Sequence, residues 1–256
     1  MLEMSGLLSA RDGVPVAIER AEAKSDIVLI CEHASRRVPE SLGDMGLSEE
    51  LRKSHIAWDP GALAVSMMLS EALDATLIHQ RFSRLAYDCN RPPEARDAIP
   101  EISEVFEVPG NRGLGPAERA ARAEALYHPF HKAIEDLLVA RQNAGRSPVI
   151  VTIHSFTPVY KGVARDVEIG ILHDSDSRLA DCMLAKVAGG YEVRRNEPYA
   201  PVDGVTHTLR RHALTRRLAN VMIEIRNDLI ADEVGQAQAA GFIAGLLGQC
   251  LDGEAA

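Results

Sequence analysis

Short, uninterrupted apolar runs recur along this chain, separated by helix-like stretches, and this alternation restricts the fold more than any other feature. Ile27–Cys31 (IVLIC), Val149–Ile153 (VIVTI) and Val221–Ile225 (VMIEI) are short enough for strands and apolar enough to be buried on both faces. Ala75 to His79 and Val167 to Leu172 read the same way. Between them, residues 61–73, 116–142, about 177–188 and 229–250 carry helical patterns. Pro116 suits a first helical turn, whereas Pro129 inside the second stretch predicts a kink or break. Strands alternating with helices imply an α/β sandwich with a mostly parallel sheet. Ligand sites in such sheets gather at the carboxyl ends of the strands. The first two dozen residues read as a weakly patterned arm and Asp252 to Ala256 as a frayed tail.

The chain has 256 residues and a formal charge of −9, which argues against a nucleic-acid partner. No apolar run approaches the ~18 residues a membrane helix needs, and no leader-like segment opens the chain. Cys31, Cys89, Cys182 and Cys250 form no CxxC pair, so neither a zinc ribbon nor a redox dithiol is expected. Scattered thiols in a chain of this size need no disulfide framework and suit a reducing cytoplasm. A single domain over residues 1–256 is expected. Against the acidic balance stand four adjacent arginine pairs, Arg36-Arg37, Arg194-Arg195, Arg210-Arg211 and Arg216-Arg217, which read as solvated surface.

The strand ends carry chemistry. The first apolar run is followed by Glu32-His33, the VIVTI run by His154-Ser155, and the VMIEI run contains Glu224. Three strands thus deliver His, His and Glu to one edge. Neutral imidazole is a leading Zn²⁺ ligand, and a carboxylate beside a metal-bound water acts as general base. Rival histidines are weaker. His128 and His131 are spaced for one helix face, four residues after Glu124 in the case of His128, and read as an exposed amphipathic surface. His207 and His212 lie in a polar segment without ligand spacing. Cys31 in an apolar strand reads as a buried, inert thiol. No GxSxG elbow is present, and Gly110 to Gly115 departs from GxGxxG spacing. In SRLAYDCNRP, Arg84 and Arg91 bracket Asn90, an arrangement suited to carboxylate recognition or to a plain surface loop in which Asp88 neutralises an arginine.

Taken in order, CEHAS, HIAWDPGA, FSRLAYDCNRP, HSFTP, NEPYAP and VMIEIRND resemble the N-formylglutamate amidohydrolase family over about residues 27 to 230. The resemblance implies a three-layer α/β/α sandwich around a mixed, mostly parallel sheet, related to zinc carboxypeptidases and phosphorylase/hydrolase-like folds. It implies hydrolysis of the amide of an N-acyl amino acid by Zn²⁺ or another divalent metal, for example N-formyl-L-glutamate to formate and L-glutamate in histidine degradation. By that resemblance His33 and His154 match two metal ligands, and Glu224 matches the glutamate that activates water. Asn90 and Arg91 match a pair that grips a substrate carboxylate, and Arg84 resembles an arginine that polarises the scissile carbonyl. The wider superfamily uses HxxE for its first two ligands, but position 36 here is Arg. Asp59 is the chosen replacement and Glu32, expected on the opposite strand face from His33, the reserve. Arg165, Asn196 and Tyr199 are expected to line the pocket, with Arg165 or Arg226 meeting a side-chain carboxylate. A small anionic substrate is the expected partner, with neither nucleic acid nor membrane. A related deacylase, a carboxypeptidase-like peptidase and a non-catalytic binder of acidic metabolites are the alternatives.

Overall fold

In the computed structural model, which describes residues 6–251, a seven-stranded mixed sheet lies between two layers of helices. The strands are β1 (Val16–Glu19), β2 (Ile27–Cys31), β3 (Thr76–Gln80), β6 (Val149–Phe156), β9 (Ile169–Leu172), β10 (Val193–Arg195) and β11 (Asn220–Arg226). Two small hairpins, β4–β5 (Ile102–Ser103, Phe106–Glu107) and β7–β8 (Val159–Tyr160, Val163–Ala164), stand apart from it. The sheet order is β1-β3-β2-β6-β11-β9-β10. The central strands β3, β2, β6 and β11 run parallel, while β1 and β9 pair antiparallel with β3 and β11. β2, β6 and β11 are buried along nearly their whole length, as their continuous apolar runs require.

Alternation along the strands sorts the core into two layers. Leu29, Val151, Ile153, Ile223 and Ile225 face helices α2 (Ala62–Ala72), α5 (Arg178–Ala185) and α6 (Glu233–Leu251). Val28, Ile30, Ile150 and Met222 face Phe130, Ile134 and Leu138 of α4 (His128–Asn143) and Leu209 and Ala213 of the 209–213 segment. A shorter helix, α1 (Glu49–Lys53), precedes α2, capped by Ser48 Oγ accepting the Leu51 N–H. Helix α3 (Pro116–Arg122) starts with proline in its first turn, and Glu118 accepts the Gly115 N–H. The break expected at Pro129 is a π-turn over Ala123–Tyr127, which carries the chain from α3 into α4. Proline has no N–H for the regular ladder, and the wider turn absorbs the mismatch.

Three expectations change. The presumed N-terminal arm contributes β1, an edge strand whose four half-exposed residues gave little periodic signal. Cys182 and Cys250, expected as separate thiols, form a disulfide because α5 and α6 lie side by side. His131, expected on an exposed face, is buried and bonded to His212, Nδ1 to Nε2 2.8 Å. The terminal stretch from Asp252 lies outside the described residues. Among those described, no helix is long and apolar enough to cross a membrane.

Gly170 of β9 sits opposite Glu224 of β11, and a Cβ built there would lie 2.0 Å from the Glu197 carbonyl oxygen. This close approach seats the segment carrying Pro198 and Tyr199 against the sheet. Gly170→Ala is therefore expected to lower unfolding free energy by about 1–3 kcal/mol, read by urea denaturation; an unchanged midpoint would contradict this packing.

Candidate metal centre

The sheet edge assembles the site from backbone geometry. His33 follows β2 by two residues, and its carbonyl accepts the Asp59 N–H at 2.9 Å. Asp59 precedes Pro60 and Gly61; Gly61 adopts φ +81°, a conformation open to glycine, and starts α2. β6 supplies His154 and β11 supplies Glu224, directly opposite each other in parallel register. Extending the β2–β6 register from Ile30 opposite Thr152 brings Glu32 alongside His154.

Three atoms converge there. His33 Nδ1 lies 3.2 Å from Asp59 Oδ2, His154 Nδ1 lies 3.0 Å from the same oxygen, and the two ring nitrogens are 3.2 Å apart. Ligand atoms on a tetrahedral ion with bonds of ~2.0–2.1 Å lie about 3.3 Å apart. The far side of each imidazole faces a carboxylate. His33 Nε2 is 2.8 Å from Asp88 Oδ1, and His154 Nε2 is 3.1 Å from Glu32 Oε2, the latter a charge contact without hydrogen-bond alignment. A proton held on each Nε2 leaves each Nδ1 with its lone pair aimed at the centre. Three buried acceptors then face one another, an arrangement that a cation resolves. His33, Asp59 and His154 can thus hold a metal ion.

In the metal-free protein protons stand in for the cation, because the surrounding carboxylates favour the charged imidazoles. Glu32, Asp59, Asp88 and Glu224 are all buried, with Arg84 as the nearby guanidinium. Burial alone would lower the pKa of His154, yet Glu32 and Asp59 raise it well above the usual imidazole range. Burial and Arg84 oppose protonation of His33, but Asp88 and Asp59 outweigh them and raise it. Burial would raise Asp59 and Asp88, yet the imidazoles, with Arg84 beside Asp88, hold both well below the usual carboxylate range. Glu224 differs: burial, with Asp59 adding to it, pushes its carboxyl up to about 7, and its Oε2 has no hydrogen-bond partner among the described residues. A carboxyl tuned near neutrality beside a metal set suits proton transfer.

A cavity of about 500 Å³ opens over these groups, lined also by Arg84, Asn90, Arg91, Arg165 and Tyr199. Arg84 is pinned by Asp88, Nη2 to Oδ2 2.7 Å, and by Asp59 at 3.4 Å. Asn90 lines the cavity while its amide nitrogen donates one hydrogen bond to the Val205 carbonyl and its oxygen accepts the Thr208 N–H. Arg91 donates through Nε to Asp97 and through Nη1 to the Asn90 and Gly204 carbonyls. Asn196 does not line the cavity: its left-handed backbone, φ +50°, turns the side-chain oxygen to the His173 N–H. Arg226 is likewise occupied elsewhere, by Asp228 and Glu168.

Cys31 is buried with its pKa pushed far up, by burial first, which fits an inert thiol. The adjacent arginine pairs stay outside the cavity. Asp88 and Glu32, which back the two imidazoles, escaped the sequence reading in that role. The only signals were the i,i+4 spacing of Arg84 and Asp88 and the strand parity of Glu32.

Comparison with known proteins adds the following. Residues 25–231 match the family model for N-formylglutamate amidohydrolase. The crystal structure of gene product Atu2144 from Agrobacterium tumefaciens is 57% identical, aligned over 97% of this chain and 99% of that one, with a TM-score of 0.95. An N-formylglutamate amidohydrolase from Ralstonia eutropha JMP134 shares the fold at 19% identity, over 94% of this chain and 99% of that one, with a TM-score of 0.66. No curated protein sequence matches.

The raised pKa of Glu224 sets a pH dependence for the metal-free protein. With an unfolded value near 4.5 and a folded value of about 7, its contribution to stability is complete below 4.5 and lost as pH rises through 7. Glu224→Gln removes the burial of an ionised carboxylate, so the metal-free variant should exceed the parent in stability at pH 8, by up to about 3 kcal/mol. The gap should close toward pH 4.5 in urea titrations with chelator. A gap that widens on acidification would contradict the assignment.

Proposed function

The chain belongs to the N-formylglutamate amidohydrolase family, hydrolases acting on amide C–N bonds, and on that premise we propose that it is a zinc-dependent amidohydrolase of N-acyl amino acids, cleaving N-formyl-L-glutamate to formate and L-glutamate. The observation that carries the reading is Glu224, buried, unpartnered at Oε2 and in register with His154 of the candidate metal set. Zn²⁺ held by His33 Nδ1, Asp59 Oδ2 and His154 Nδ1 would supply Lewis acidity toward the amide carbonyl and a lowered pKa for water.

The chain's own groups perform the rest. Glu224 takes a proton from the attacking water through its unpartnered oxygen, then returns it to the departing nitrogen, so one carboxyl serves both half-steps. Arg84 cannot swing away, because Asp59 and Asp88 hold it. Its fixed positive charge stabilises the oxyanion with little reorganisation. Arg91 keeps Nη2 free of protein partners among the described residues and presents it to the substrate α-carboxylate. Asn90 acts through the wall it bonds, holding the 205–208 segment and the Arg91 backbone in place. Asp88 and Glu32 orient the imidazoles from behind.

Glu224→Gln is expected to keep stoichiometric zinc by elemental analysis while kcat for N-formylglutamate falls by ~10³-fold. Asp59→Ala should lose the metal itself. Retained turnover in the glutamine variant would refute the mechanism. For Arg91→Ala, KM should rise with a smaller change in kcat.

A further inference from the structure

Two histidines outside the site are buried as deeply as those within it. His131 of α4 is 2% exposed and His212 of the 209–213 segment 1%. Nδ1 of His131 lies 2.8 Å from Nε2 of His212. On its other edge, His131 Nε2 lies 2.8 Å from the Cys89 carbonyl oxygen. A carbonyl only accepts, so His131 carries its proton on Nε2. In a neutral ring Nδ1 then accepts, and His212 must donate through its own Nε2. Burial favours the neutral forms. It drives His131 well below the usual imidazole range, and with Arg211 and Arg216 it brings His212 down to about 3. Glu135 Oε2, 3.6 Å from His212 Nδ1, does not reverse this, because Arg216 already pairs with that carboxylate. The donors therefore run one way, from His212 through His131 to the Cys89 carbonyl.

That carbonyl belongs to the turn that builds one wall of the site. Asp88, at the start of the turn, is fixed independently. Its N–H donates to the Ala98 carbonyl at 2.8 Å, and its carboxylate holds His33 and Arg84. Asn90 and Arg91, on the far side of Cys89, line the cavity. Two wide helical turns close on the same place. The π-turn over Ala123–Tyr127 leaves the Leu126 carbonyl to Gln80 Nε2 at 3.3 Å and puts Tyr127 Oη 2.8 Å from His207 Nε2. A second π-turn, Leu209–Ala213, carries His212. Such turns are rare and gather at functional sites.

We propose that His131 is a positioning residue for the Cys89–Arg91 end of this turn, held in its donating tautomer by His212, and that it thereby sets the reach of Arg91 toward the substrate carboxylate. The inference rests on the amide hydrolysis proposed above and adds a residue of the outer helix layer to it. The groups behind the metal set hang on Asp88, whose own bonds do not involve His131. The role therefore falls on substrate binding and leaves the chemical step nearly untouched.

The test uses the zinc-loaded full-length protein. Long-range proton–nitrogen correlation spectra of histidine-labelled protein should show His131 as the Nε2–H tautomer, and His212→Phe should shift part of it to Nδ1–H. His131→Asn keeps an acceptor for His212 but is too short to reach the Cys89 carbonyl. Its KM for N-formyl-L-glutamate should rise about 10-fold, with kcat within about twofold and zinc content unchanged. His131→Gln, whose amide nitrogen takes the place of Nε2, should restore most of that loss. An Nδ1–H tautomer in the parent, equal KM values in His131→Asn and His131→Gln, or a fall in kcat that matches the fall in kcat/KM overturns the positioning role. Should neither His131 variant fold, the same rise in KM is required of His212→Phe, and its absence overturns the role. A parent that shows the Nε2–H tautomer without any hydrolysis removes the proposed reaction instead. The L-glutamate dissociation constant, which should rise in His131→Asn and recover in His131→Gln, then decides the role.

Discussion

Three ligand atoms, His33 Nδ1, Asp59 Oδ2 and His154 Nδ1, meet within 3.2 Å of one another in a buried place, and the surrounding structure makes that meeting tolerable. An isolated buried acceptor cluster is costly. Here each imidazole is held from behind by its own carboxylate, Asp88 or Glu32, and Asp88 in turn is held by Arg84. The Ser155 N–H supports Asp59 at 3.3 Å, and the Asn90 N–H supports Asp88 at 2.9 Å. Every polar group added to the site brings another to satisfy, so the centre extends into a layered network. Such a network persists because the two apolar layers around the sheet hold its backbone supports fixed.

The same sheet fixes the distance between Glu224 and His154 of the candidate metal set. His154 and Glu224 are cross-strand neighbours in a parallel ladder, where strands lie about 4.8 Å apart. Their separation is therefore set by backbone hydrogen bonds of β6 and β11, and much less by side-chain packing above them. Arg165 and Glu104, which line the cavity, sit beside or on short hairpins outside the main sheet, so the cavity wall and its floor rest on separate supports.

What could be read from the sequence followed the strength of local signals. IVLIC, VIVTI and VMIEI are long enough and apolar enough to be recognised as central strands, and the residues just beyond them, His33 and His154, inherit their placement. Glu224 lies within its run, where a lone carboxylate among apolar residues stands out. β1 and the two-residue hairpin strands carry no such pattern, so their positions come from tertiary contacts. Asp59 needed the family resemblance, because an aspartate before Pro-Gly is also an ordinary turn residue. The pairing of His33 with Asp88 crosses 55 residues and that of Cys182 with Cys250 crosses 68, and no local pattern encodes either. Asn196 lies in a motif close to the cavity, yet one left-handed backbone angle turns it away.

Five of the strongly exposed apolar side chains, Ile102, Val105, Val159, Val163 and Val202, belong to the two hairpins and the turn that also contribute Ser103, Glu104, Tyr160 and Asp203 to the cavity lining. Apolar side chains therefore point to solvent where their immediate neighbours line the cavity with polar ones. A strand of two residues is thus just long enough to turn one side chain outward and the next toward the cavity.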